Sequence, residues 1–213
     1  MSRDENRIKR PRIATFFLLP GLVLQLASEA FLCCAIAFLG FDLSAFDDPS
    51  YSPDTIGVLV GLASLIILVM LVINFIMLMF WVYRINANTH NLPVPDLEYE
   101  PGWAVGWWLI PFANLWKPFD IMCELYNANK NPNDWHELSR PPLLIAWWVV
   151  TILQILPTIA LRFANDFGGS ASVPYVLLNV LGAIRLALII TIVVRINGFQ
   201  KIAIVRPGVE QVF

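Results

Sequence analysis

The chain has 213 residues, of which 58% are apolar and only 14% charged, with a formal net charge of −2. A soluble domain of this size carries more charge on its surface, so the composition points to a membrane protein. Bulk charge gives no sign of a nucleic-acid partner, and three cysteines make no disulfide framework.

A spanning helix needs about 20 mostly apolar residues. Four stretches meet this, at 13–39, 56–83, 143–161 and 175–194. Pro53 precedes the second, Pro141-Pro142 opens the third and Pro174 opens the fourth, where a missing amide proton costs no hydrogen bond. Pro20 and Pro157 fall inside the first and third helices and should kink them. The apolar run after the basic stretch Arg7 to Arg12 is too long for a signal peptide, so the first helix reads as an uncleaved anchor. Cys33 and Cys34 lie in that run and, with Cys123, read as small buried hydrophobes.

Orientation follows from lysine and arginine. Arg3, Arg7, Lys9, Arg10 and Arg12 precede the first helix, and Arg84, Lys117, Lys130 and Arg140 lie between the second and third. Arg195, Lys201 and Arg206 follow the fourth. The other two loops carry Asp42, Asp47, Asp48, Asp54 and Asp166, with Arg162 their only basic residue. Both termini and the central segment are therefore expected on the cytoplasmic side of the cell membrane.

The central segment contains PGWAVGWWLIPFANLWKPF, residues 101–119. Its run from Gly102 to Ile110 covers about 14 Å as a helix, half a bilayer. Trp103, Trp107, Trp108 and Trp116 suit the headgroup layer, where an indole buries its ring and keeps its N–H wet. After Pro111, Phe112, Leu115, Trp116, Phe119, Met122 and Cys123 share one helical side, while Asn114, Lys117, Asp120 and Glu124 lean to the other. The expectation is a broken, amphipathic interfacial element over 101–126, either a collar on the bundle or a re-entrant piece lining a cavity.

Trp81-x-x-Arg84, Pro101-x-x-Ala104-Val105-x-x-Trp108 and Pro111-x-x-Asn114-Leu115-x-x-Pro118 follow one another in order. This series resembles the bacterial membrane family called domain of unknown function 4328, over roughly residues 60–200. The resemblance implies a multi-pass membrane protein with this cytoplasmic signature and no activity. The acidic run Asp96, Glu98 and Glu100 is heavier than that family's pattern.

Among intramembrane polar residues, Glu29 and Arg185 stand out, because an ionisable group near the bilayer centre costs about 2.5–3.5 kcal/mol on insertion scales. Each lies about 15 Å from the outer boundary at the helical rise, so the two are expected to pair, as a packing clamp or as a proton or anion site. Gln25, Asn74, Gln154 and Asn179 are the further polar groups. Arg84, Asn88, Asn114 and Lys117 are candidates for headgroup or metabolite contacts at the cytoplasmic boundary. Val82-x-Arg84-Ile85-Asn86 recurs as Val193-x-Arg195-Ile196-Asn197, as repeated hairpins or as two helices ending at one interface. His90 and His136 have no zinc-site context, and no P-loop, nucleophile elbow or dinucleotide fingerprint occurs, so no catalytic residue, metal or cofactor is expected.

The expected architecture is an all-α integral membrane protein. Its domain of four transmembrane helices spans 13–200, between a basic N-terminus (1–12) and a cytoplasmic tail (201–213). Three functions are open: an accessory or scaffold subunit contacting lipid and another membrane protein or itself, a small oligomeric transporter or channel using Glu29 and Arg185, and, trailing both, a lipid enzyme.

Overall fold

The computed structural model describes residues 12–39, 55–167 and 172–205. The basic N-terminus, the acidic stretch 40–54 and the end of the C-terminal tail lie outside the described residues. Every regular element described is helical: α1 (Arg12–Leu39), α2 (Thr55–His90), α3 (Pro101–Gly106), α4 (Lys117–Lys130), α5 (Pro142–Leu153), α6 (Ile155–Phe167) and α7 (Ser172–Val205), with short 3-10 turns between α3 and α4. Among the described residues four stretches are long and apolar enough to cross a membrane, Thr15–Ala35, Gly57–His90, Pro142–Leu161 and Val173–Ile202. Their exposed side chains are largely Leu, Ile, Val and Phe, the surface of a membrane protein rather than of a soluble one.

The crossings differ from the sequence expectation in three places, each for a local reason. The helices α2 and α7 run past Tyr83 and Val194 to His90 and Val205, because their polar last turns find partners inside the protein. The third crossing is two helices, separated at Gln154. Pro157 has no amide proton to return to the Leu153 carbonyl, and its ring crowds that carbonyl, so the ladder breaks just upstream of the proline. The Gln154 amide still donates to the Val150 carbonyl at 3.1 Å.

The contacts divide into two compact units. One comprises residues 19–74 and 147–189. Leu32, Ala35 and Val60 form a small buried cluster there, flanked by Ile67, Tyr175 and Val176. Beside it runs a polar line. Asn74 Nδ2 donates to Gln25 Oε1 at 2.8 Å, and Gln25 Nε2 donates to Glu29 Oε1 at 3.1 Å. Two glycines make room for it: a methyl group on Gly21 would strike Asn74 Oδ1, and one on Gly182 would strike Glu29 Oε2. Small residues let helices approach closely where lipid supplies no hydrophobic drive.

The other unit comprises the chain up to Leu18, residues 75–146 and the chain from Ile190. Its core holds Trp81, Val82, Ile85, Ile121, Met122, Leu125, Leu144, Ile192, Val193 and Ile196. Buried amides tie its helices together. Asn88 Nδ2 donates to Gln200 Oε1 at 3.2 Å, and Gln200 Nε2 to the Ile85 carbonyl at 3.2 Å. Trp81 Nε1 donates to Asn197 Oδ1 at 3.1 Å, and Asn197 Nδ2 to Thr15 Oγ1 at 3.3 Å. The recurring Val-x-Arg-Ile-Asn motif shares two features in both copies: the isoleucine is fully buried and the asparagine bonds inward. Arg84 is exposed, whereas Arg195, also exposed, donates to the Tyr126 hydroxyl at 3.4 Å.

Gly182→Val forces a side chain into the Glu29 carboxylate, whereas a methyl group at Gly198 meets nothing within 4 Å. Overpacking of this kind costs about 1–3 kcal/mol, a fall of about 2–12 °C in midpoint. Thermal unfolding in detergent should show that fall for Gly182→Val and none for Gly198→Ala. Equal midpoints for the two variants would contradict the close approach.

Candidate functional site

The segment 101–119 is built from short pieces because prolines punctuate it. Pro101 opens α3 at its first position, where a proline fits without loss. Two 3-10 turns follow, at Trp107–Leu109 and Ala113–Leu115, and Pro118 sits in the first turn of α4. Ala104, Trp108 and Ala113 face inward, and Trp108 packs edge-on against Phe75 with ring centroids 6.5 Å apart. Trp103, Leu109, Phe112, Leu115 and Trp116 point out, Phe112 with 79% of its surface open. Of the four tryptophans expected at a headgroup layer, Trp103 and Trp116 are exposed, Trp107 is half-buried and Trp108 is buried.

The helix that follows corrects the sequence expectation. A surface-lying α4 would leave Glu124 in water, but all of α4 from Pro118 to Asn129 is buried except the half-buried Asp120. Glu124 itself is 5% exposed. Its carboxylate accepts the backbone amides of Glu98 at 2.7 Å and Tyr99 at 3.3 Å. The acidic linker between α2 and α3, turned by a positive φ of 51° at Asp96, lies along that side of α4 and covers it. The Tyr99 carbonyl accepts Asn86 Nδ2 at 2.9 Å. Asn129 Nδ2 bonds both Thr89 Oγ1 at 2.9 Å and the Leu125 carbonyl at 2.7 Å. α2, the linker and α4 are thus joined by buried polar bonds.

Beside Glu124 opens a cleft of about 330 Å³. The Lys117 ammonium donates to the Tyr99 hydroxyl at 3.0 Å, pairs with Glu98 at 3.5 Å and lies over the Trp107 ring at 5.5 Å. Arg140 pairs with Asp120 at 3.3 Å and lies over the Phe119 ring at 5.3 Å. Asn127 Nδ2 reaches the carbonyls of Leu138 and Ser139 at 3.3 and 3.4 Å. Trp135 stacks on His136 at 3.7 Å and donates its indole N–H to the Pro95 carbonyl at 2.9 Å. The Cys123 thiol is pushed up to about 12 by burial, so it is an inert small hydrophobe at neutral pH. The hydrogen bond that Lys117 donates to the Tyr99 hydroxyl is the main influence holding it above its ordinary value, and the side chain stays charged.

The remaining sequence candidates lie apart from this cleft. Asn88 is turned inward onto Gln200, Asn114 is exposed in the second 3-10 turn, and Arg84 is exposed on α2. In the other unit, the charges of Glu29 and Arg185 act on each other, but they are not among the direct ion pairs within 4.0 Å. Glu29 Oε2 and Arg185 Nε are buried without a hydrogen-bond partner. Gln154 Nε2 lies 3.4 Å from the Leu178 carbonyl, and Asn179 Nδ2 bonds the Tyr175 carbonyl at 2.8 Å. The residues that sequence reasoning missed are Thr89, Asn127, Asn129 and Gln200. Their signal was polar residues at helical spacing immediately beyond an apolar run.

Among the described residues the fold is helical, with four helices long and apolar enough to cross a membrane and a polar segment between the second and third, as in a multi-pass membrane protein. Residues 53–198 match the model of the family described as Domain of unknown function (DUF4328), and the chain belongs to that family. No curated protein and no solved structure matches the chain.

Burial, the largest influence on Glu124, raises it from the ordinary 4.5 to about 7 against the pull of its two backbone hydrogen bonds. The folded chain therefore binds this proton more tightly than the unfolded chain. The resulting stability is fully present below about 4.5 and is lost as pH rises through about 7. Glu98, Asp120, Lys117, His136 and Arg140 share the cleft, so the test is a difference between proteins. The midpoint of wild type minus that of Glu124→Gln, measured by thermal unfolding in detergent, should fall across this window. A flat difference would contradict the assignment.

Proposed function

We propose that the protein is a non-catalytic accessory or scaffold subunit of a membrane complex, with both termini and the segment 91–141 on the cytoplasmic side of the cell membrane. The observation that carries this reading is the exposed apolar rim of Trp103, Leu109, Phe112, Leu115 and Trp116. It continues from a buried polar framework and borders a charged cleft. Apolar groups held open in this way, with polar groups around them, favour contact with lipid and with another membrane protein. The distribution of lysine and arginine supports the orientation. Arg84 and Arg195, exposed where apolar helices turn polar, suit the phosphate layer.

Two measurements test the reading. In a cysteine-free background, Asp134→Cys should react with a membrane-impermeant maleimide only in inside-out vesicles, and Phe112→Cys should resist it on both sides. Labelling of Asp134→Cys from the outside would overturn the orientation, and ready labelling of Phe112→Cys would overturn the interfacial rim. In a gentle purification, a stoichiometric membrane partner should remain bound to Glu29→Gln and Arg185→Gln. It should be lost when Phe112 and Trp116 are both changed to serine.

A second reading, a small oligomeric transporter or channel, is favoured by the unpartnered Glu29 Oε2 and Arg185 Nε among buried atoms, since intramembrane charge is retained for a reason. Under that reading the two neutral variants stay folded and lose transport. The rim variants keep it.

A further inference from the structure

We infer that the cleft between the 98–99 linker, α4 and the segment before α5 binds a zwitterionic ethanolamine phosphodiester, with Lys117 and Arg140 on its phosphate and Glu98 and Asp120 on its ammonium. The volume, about 330 Å³, is at the small end for ligand sites and suits a headgroup rather than a whole lipid.

The charges choose the ligand class. Two cations, Lys117 and Arg140, and three carboxylates, Glu98, Asp120 and Glu124, line the cleft. Lys117–Glu98 and Arg140–Asp120 are already matched, and Glu124 is held by the amides of Glu98 and Tyr99. Each pair rests on one contact, of 3.5 and 3.3 Å, between partly exposed side chains. Such pairs contribute little and open readily. A purely anionic ligand would meet Glu98 and Asp120, and a purely cationic one would meet Lys117 and Arg140. A zwitterion shares its one negative charge between the two cations and its one positive charge between Glu98 and Asp120, and adds no net charge to the cleft. The planar guanidinium of Arg140, steadied on the Phe119 ring, presents a fork that fits phosphate oxygens. A primary ammonium suits the carboxylates better than a quaternary one, because it has N–H donors to give.

The walls are built in advance. Glu124 is committed to the amides of Glu98 and Tyr99, and Asn127 to the carbonyls of Leu138 and Ser139. Two buried α4 side chains thus fix both banks of the cleft, so binding spends little on ordering them. Lys117 follows Trp116 of the exposed rim, and Arg140 precedes Pro141-Pro142 at the start of the third crossing. The site rests on the interfacial reading above only for access to bilayer lipid. The same group on a soluble molecule would reach it as well.

The test uses the full chain in detergent, with isothermal titration of glycerophosphoethanolamine and of short-chain phosphatidylethanolamine, phosphatidylglycerol and phosphatidylcholine. Phosphatidylethanolamine should bind about tenfold or more tighter than the other two lipids. Arg140→Gln and Asp120→Asn should each weaken it about tenfold, with unchanged thermal midpoints. Binding of glycerophosphoethanolamine would identify the headgroup alone as sufficient, and binding of the acylated form only would identify lipid as the source. Equal affinity for phosphatidylglycerol, no binding of either ethanolamine probe, or full affinity in both variants would overturn the inference. No bilayer enters this assay, so its failure leaves the interfacial rim standing, and failure of the maleimide test leaves headgroup binding standing.

Discussion

A carboxylate taken out of water must find donors, and Glu124 finds two in the backbone of the chain that passes over it. A buried carboxyl left without partners is costly, and the backbone amides of Glu98 and Tyr99 supply the two donors that Glu124 accepts, which fixes the linker against α4. From there the constraint spreads by short steps. The Tyr99 carbonyl is tied to Asn86 on α2, and the Tyr99 hydroxyl to Lys117 at the start of α4. Pro101 begins α3 two residues later. The apolar rim is thereby presented by a framework that is itself polar and buried. That combination allows Trp103, Phe112 and Trp116 to stay open without collapsing onto their own protein.

The other unit is held together differently. In a lipid solvent, which is as apolar as leucine, apolar side chains gain nothing by turning inward, and association depends on close packing and polar bonds. Gly21 and Gly182 supply the closeness, and the line from Asn74 through Gln25 to Glu29 supplies the bonds. A methyl group on Gly182 would meet Glu29 Oε2 and Gln154 Nε2, so the glycine keeps open the space that these polar groups occupy. The two units use the same residue types, asparagine, glutamine and glutamate, for one purpose: each holds elements together where burial of apolar area alone would not orient them.

The membrane helices were legible in the sequence because length and hydropathy fix them almost without reference to tertiary structure. The break at Gln154 was foreshadowed by Pro157, whose effect is covalent and local. The polar extensions of α2 and α7 were not legible in the same way. Asn86, Asn88 and Asn197 look like residues at a helix end, and only their partners, far away in sequence, keep the helix going. Glu124 was misread for a related reason. Helical periodicity assigned it to the polar side of α4, as the sequence requires, but periodicity does not reveal that a linker will cover that side. The recurring Val-x-Arg-Ile-Asn motif could be quoted from the sequence, and its meaning, one buried isoleucine and one inward asparagine at each copy, came from the packing.

Glu124 holds the linker, and through it the start of the rim, in place. Hydrogen exchange on the full chain in detergent, compared between wild type and Glu124→Ala, tests it most directly. The account predicts faster exchange at the amides of Glu98 and Tyr99 and onward through α3, with α4 itself remaining protected. Unchanged protection across 98–106 in that variant would contradict it.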